Sequence, residues 1–221
     1  MFIDFSPLVT RWQFLLNAFW VTVYISLLSM AFGFVIGVVV GALRTYGGRG
    51  IDRVLGFYVD SMRSLPQLVV LVWTFFAFPL IVGFSLSSIT AGIVALSAHL
   101  GAYMAETVRA GLTSVRKGQM QAALALGMSR FDAIRKIILP QALIRMLPSL
   151  GSLCTFAIKD SAIASVIAVP ELLRQSQIVT GQTYRYALIY TTLMIVYFLL
   201  CYPVARGVDR LYRRVAHLGS S

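Results

Sequence analysis

From Trp12 to Leu43, and again from Ser64 to Ala105, the chain carries no Asp, Glu, Lys or Arg. The hydrocarbon core of a bilayer is about 30 Å thick and takes about 20 apolar residues per helix. The first stretch therefore holds one long span and the second holds two. The second is divided at Pro79 and Gly83, and Ser85, Ser87 and Ser88 open the next helix. Charged residues usually make up about a quarter of a soluble domain. Here they make up 12% of 221 residues, and 58% are hydrophobic. Inside lipid, every backbone polar group must be satisfied within the fold. Runs this long and this apolar point to an all-α integral membrane protein.

Two further spans follow, and the expected set is 14–43, 58–82, 87–110, 141–169 and 185–205, in one transmembrane domain covering 1–221. The first run is about twice a signal peptide's apolar region and has no clear cleavage site, so it is expected to be retained. Lys and Arg set the orientation. Arg44, Arg49, Arg53 and Arg63 fall after the first span. Arg109, Arg116, Lys117, Arg130, Arg135, Lys136 and Arg145 fall in the segment that joins the third span to the fourth, including their facing ends. Arg206, Arg210, Arg213 and Arg214 follow the fifth. These are fifteen of the 19 basic residues, and only Arg11, Lys159, Arg174 and Arg185 lie on the other side. The positive-inside rule places the N-terminus outside and the C-terminus in the cytoplasm. The net charge of +11 is thus topology and gives no reason to expect nucleic acid.

Cys154 and Cys201 stand in apolar stretches without metal-ligand or CxxC spacing and read as packing residues. Trp12, Trp20, Tyr184, Tyr186 and Tyr190 sit where aromatic anchors belong at the outer interface, though ordinary packing would also place aromatics there. Gly33, Gly37 and Gly41 recur every four residues and let a second backbone come close.

Between the third and fourth spans lies a wet, Ala-rich segment, 111–140. Lys117-Gly118 opens a helix-compatible run from Gln119 to Leu126, and Gly127 suits its C-cap. Ser129 to Asp132 caps a second helix reaching Ile138, and Pro140 ends that helix or sets the entry angle of the next span. Ala122, Ala123 and Ala125 offer little bulk, so a partner surface can approach the backbone. A bulky charge at Ala123 is expected to abolish that association.

Gln121-Ala122-Ala123, three residues, Gly127, nine residues, then Ile137-Ile138-Leu139-Pro140 resembles the loop that marks permease subunits of ATP-binding-cassette importers. The likeness covers nearly the whole chain and is nearest to the polar amino acid branch. It extends to Tyr58-Val59, Arg63 to Pro66, Gly101 to Tyr103, Ala105-Glu106, Ala125 to Arg130, Lys159-Asp160 and Glu171-Leu172. Departures are Gln121 for the usual Glu, Ser64-Leu65 for Gly-Thr, His99 near a frequent Asn, and Ser161-Ala162 for Thr-Ser. The resemblance implies a multi-pass protein of the bacterial inner membrane and a coupling loop that includes Gln119, Gln121, Ala122, Ala123, Gly127, Leu139 and Pro140. It also implies a cytoplasmic ATPase dimer holding the ATP and Mg, a second permease subunit, identical or paralogous, and an extracytoplasmic solute-binding protein. This chain is expected to bind no cofactor or metal. It has no phosphate-binding loop of the Gly-x-x-x-x-Gly-Lys-[Ser/Thr] type and no catalytic constellation.

Ionisable groups within a span cost about 2.5–3.5 kcal/mol on insertion scales, so they face a partner or a cavity. Lys159-Asp160 interrupts the fourth span, either because the helix breaks at a cavity or because the pair neutralises itself near the interface. With His99 and Ser161 they are the candidate solute pathway. Asp160 suits an ammonium or guanidinium, and Lys159 a carboxylate or a neighbouring backbone; His99 is equally a packing residue. Arg63 and Glu106 are matched in depth and form a structural ion pair or a gate. Two other functions stay open at this point: a stand-alone secondary transporter or channel, for which no internal repeat is visible, and a membrane enzyme, for which no catalytic residues are visible.

Overall fold

The computed structural model describes residues 5–216, and these form nine helices and no strand. They are α1 (Ser6–Thr10), α2 (Trp12–Tyr46), α3 (Arg49–Ser64), α4 (Gln67–Val82), α5 (Ser88–Ser114), α6 (Lys117–Ala125), α7 (Arg130–Ile167), α8 (Leu172–Thr183) and α9 (Tyr186–Val215). Helices α2, α5, α7 and α9 are each long and apolar enough to cross a bilayer. The bent pair α3–α4 supplies a fifth crossing if it is one span.

The segment expected as one span over 58–82 contains that bend. The chain turns by 107° between α3 and α4. Pro66 is the cause: the residue before a proline is pushed out of the helical region, and Leu65 is extended at φ −90°, ψ 141°. Two other prolines do not end helices. The turns Trp73–Ala77 and Ile134–Ile138 widen to i→i+5 bonding just ahead of Pro79 and Pro140. The wider turn accommodates a ring that has no N–H and that clashes with the preceding turn. Pro140 therefore leaves α7 continuous instead of stopping it. The helix changes character later, at Lys159-Asp160, where it tightens into a 3₁₀ stretch over Ser161–Ile167.

The glycine stripe of α2 lies against α5. A Cβ at Gly37 would stand 2.3 Å from the Cβ of Met104, and one at Gly41 would stand 2.6 Å from the Ala105 carbonyl oxygen. Gly101 on α5 returns the contact, receiving the Ile36 side chain 2.7 Å from where its own Cβ would be. Around this seam, Ile25 of α2, Leu71 of α4, Ala91 and Leu96 of α5, and Ala164 and Ile167 of α7 make one core. Gly151 of α7 admits Val208 of α9 in the same way. The anchor aromatics face outward: Trp12, Trp20, Tyr184, Tyr186 and Tyr190 are all exposed. Cys154 and Cys201 are free and half-buried.

Gly37→Leu should prevent α2 from seating on α5. A purified Gly37→Leu permease is expected to lose its monodisperse peak and its cooperative melt. Gly50→Ala, at a helical site with nothing within 4 Å, should be neutral or stabilising by up to about 1 kcal/mol. Equal melting of the two variants would show that the seam is not tightly packed.

Candidate functional site

Three places hold the residues that the sequence singled out. The first is an ion cluster at the arginine-rich end of the bundle. Glu106 on α5 accepts from Arg44 of α2 at 3.2 Å and from Arg109, one turn on, through both of its oxygens, the Nε contact being 3.1 Å. Arg44 also donates to Asp52 of α3 at 3.0 Å. Arg63 stands 4.0 Å from Glu106, while its guanidinium lies over the Tyr103 ring at 5.6 Å. The expected Arg63–Glu106 pair is thus the outermost contact of a larger cluster. Arg44 and Arg109 are its close members, and a sequence scan for pairs at matched depth passes over them. Arg109 was legible as an i,i+3 partner of Glu106; Arg44, 62 residues away, was not.

The second place is a cavity of about 280 Å³ between α4, α5 and α7, lined by Gln67, His99, Tyr103, Phe156 and Asp160. Gln67 stands with Asp160 in this lining. The Nε2 of His99 sits 3.4 Å from the Leu65 carbonyl oxygen, so that nitrogen carries the proton in this bond. The bend at Leu65–Pro66 thus exposes a carbonyl to His99 and sets Gln67 in the same cavity as Asp160. Lys159 does not join them. Its ammonium lies over the Phe156 ring at 5.8 Å and lines a separate cavity of about 420 Å³ with Tyr197, Cys201 and Tyr202 of α9. Ser161 is fully buried and donates to the Ile158 carbonyl at 2.7 Å, so it faces neither cavity. Of the four candidate pathway residues, the fold brings Asp160 and His99 together and sends Lys159 and Ser161 elsewhere. Gln67 is the polar neighbour that sequence reasoning did not include.

The third place is the loop. Gly127 at φ +81° closes α6 with two backbone bonds, Met128 N–H to Ala123 O at 3.1 Å and Gly127 N–H to Leu124 O at 3.0 Å. This is the paired pattern that favours glycine at that position. Ser129 accepts from the Asp132 N–H at 3.1 Å and caps α7, and Lys136 pairs with Asp132 at 2.9 Å. The burial pattern corrects one expectation. Ala123 is 1% exposed and faces the chain's own body, where the neighbouring Met120 packs against the cluster that includes Val108, Leu112 and Ile138. Gln121, Ala122, Ala125 and Gly127 face out, with Leu126 83% exposed and Phe131 71%. Gln119 is half-buried, and Leu139 and Pro140 are exposed where α7 enters the bundle. A charge at Ala123 would first disturb the seating of α6.

The sequence matches the family of binding-protein-dependent transport system inner membrane components over residues 7–217. The chain belongs to this family. It is therefore a multi-pass permease of the inner membrane. It is 35% identical to the glutamine transport system permease GlnP of Escherichia coli K12, over 96% of this chain and 97% of that one. It is also 35% identical to a probable glutamine ABC transporter permease of Bacillus subtilis, over 90% and 92%. Its fold matches an amino acid ABC transporter solved with histidines, at a TM-score of 0.87 and 31% identity, covering 97% of this chain and 100% of that one. An inward-facing MetNI methionine transporter matches at 0.79 and 27%, covering 93% and 98%. Family and fold together identify the permease subunit of an ABC importer.

Glu171, which the sequence marks only as part of the family pattern, centres a further polar knot. Glu171 is fully buried and caps α8, accepting from Leu173 N–H at 2.8 Å, Arg174 N–H at 2.6 Å and the Tyr197 hydroxyl of α9 at 3.2 Å. Leu172 N–H donates to Thr22 of α2 at 3.0 Å. Burial pushes the Glu171 carboxyl up to about 6, against the pull of these donors. The folded-state value lies above the unfolded one, so the contribution is whole below pH 4.5 and is lost as pH rises through about 6, by roughly 2 kcal/mol. The melting temperature of the purified permease should fall across that window, and Glu171→Gln should flatten the decline. Parallel slopes in the two proteins would assign the decline to another group.

Proposed function

We propose that this permease carries a polar amino acid, glutamine or a near relative, into the cytoplasm, driven by a separate ATPase. The observation that carries the reading is the cavity that sets Asp160, His99 and Gln67 together in a chain of this family. Two of its relatives are named as glutamine permeases. A carboxylate in a confined apolar cavity attracts an ammonium strongly, because little water screens it. The amide of Gln67 and the imidazole of His99 add donors and acceptors for a polar side chain.

The arginine-rich end, with fifteen of the 19 basic residues on its side, is read as cytoplasmic, with the N-terminus outside. The loop there presents Gln121, Ala122 and Leu126 outward, and this face is the docking surface for an ATPase dimer that binds the ATP and Mg. A second permease subunit completes the pathway, and a solute-binding protein delivers from outside. ATPase closure then rocks the helices between inward- and outward-facing states. The Glu106 cluster ties α2, α3 and α5 and acts as a gate that holds one of those states.

Two measurements test this. Leu126→Glu and Ala122→Arg should abolish co-purification of the ATPase while leaving the permease inserted, whereas Ala123→Glu should lower the permease's own melting temperature. In proteoliposomes with ATPase and binding protein, Asp160→Asn should weaken apparent L-glutamine affinity about tenfold or more. Unchanged affinity and unchanged solute-stimulated ATP hydrolysis would remove Asp160 from the pathway. Uptake by the permease alone, driven by an ion gradient, would replace the importer reading with a secondary transporter.

A further inference from the structure

Below the Asp160 cavity, in the same groove between α5 and α7, lies a second cavity of about 380 Å³. It is lined by Glu106, Thr107 and Ser114 of α5 and by Arg145 and Ser149 of α7. The two cavities share one face of each helix. Residues 99, 103, 107, 110 and 114 recur every three or four positions on α5, as do 145, 149, 153, 156 and 160 on α7.

The two cavities differ in the charge that is left over. In the upper one, Asp160 shares the lining with Gln67 and His99 and makes no ion pair among the described residues, while the Lys159 side chain lines the cavity toward α9. In the lower one, Glu106 is taken up by Arg44 and Arg109, with Arg63 at 4.0 Å. Arg145 donates to the Ser114 carbonyl and makes no ion pair among the described residues. A guanidinium has five N–H donors, so one backbone bond leaves most of them for a ligand. The surplus is negative above and positive below. His99 and Thr107 are about 12 Å apart along the axis of α5, which is too far for one small amino acid to reach both at once.

We propose that the groove is a two-station path, and that the lower station, centred on Arg145 with the Thr107 and Ser149 hydroxyls, binds the carboxylate of the zwitterion on its way out. This rests on the importer reading above, with the arginine-rich end cytoplasmic. It adds a site that responds to solute already delivered.

The probe is L-glutamine, loaded inside proteoliposomes that carry the full transporter and ATP, with the binding protein outside. Internal L-glutamine should slow wild-type import, and the α-carboxamide of glutamine, which has no carboxylate, should not. Arg145→Gln should raise the half-inhibitory internal concentration at least fivefold, and Arg145→Lys should restore part of it. Ser149→Leu, which narrows the cavity without touching the Arg145 bond, should do the same as Arg145→Gln and guards against a folding defect in that variant. Equal inhibition of wild type and both cavity variants overturns the proposal, as does inhibition by the carboxamide or import with no internal effect. No L-glutamine import at all by the wild type overturns the substrate reading itself and this one with it.

Discussion

The seam between α2 and α5 is the contact on which the other arrangements depend. Gly37 and Gly41 bring the α2 backbone onto Met104 and Ala105, and Gly101 takes in Ile36. Between helices in lipid no hydrophobic force favours association, so van der Waals contact at close range must supply it. That contact fixes the register of α5 against α2. The register in turn puts Arg44 beside Glu106 and leaves His99 and Tyr103 on the face toward α4 and α7. A one-residue slip would turn α5 by about 100° and scatter both groups.

Charges inside such a bundle must be compensated locally, and the fold does this in two styles. Glu106 is over-supplied with cations, and the cluster ties three helices together. Asp160 lines a cavity with one neutral amide and one histidine and makes no ion pair among the described residues. Glu171 lies between these cases. It is buried and bonded to three donors without a cation, and it welds α8 to α9. The difference between these carboxylates thus lies in the partners and not in the residue type.

Much of this was legible in the chain. The charge-free runs gave the spans, the loop spacing gave the family resemblance, and Gly127 and Ser129 gave the caps around α6. Other readings needed neighbours. Ala123 reads as part of an outward face because all the alanines there are small, yet only the packing of α6 on the chain's own body decides that it is buried. Arg63 and Glu106 were correctly matched in depth, but depth does not give azimuth, and Arg44 and Arg109 are nearer. The bend before Pro66 was written in the sequence as a proline and was passed over because the surrounding run is apolar.

The sequence by itself determined that this chain enters a membrane as helices and to which transporter family it belongs. Those depend on composition along one dimension and on a fixed spacing of small residues. Only the tertiary structure decided which neighbours each polar residue has. Lys159 and Asp160 are adjacent in the chain, yet successive residues on a helix point about 100° apart. One therefore meets α9 and the other meets α4 and α5. A linear sequence records that the two charges are together, and the packing of helices separates them.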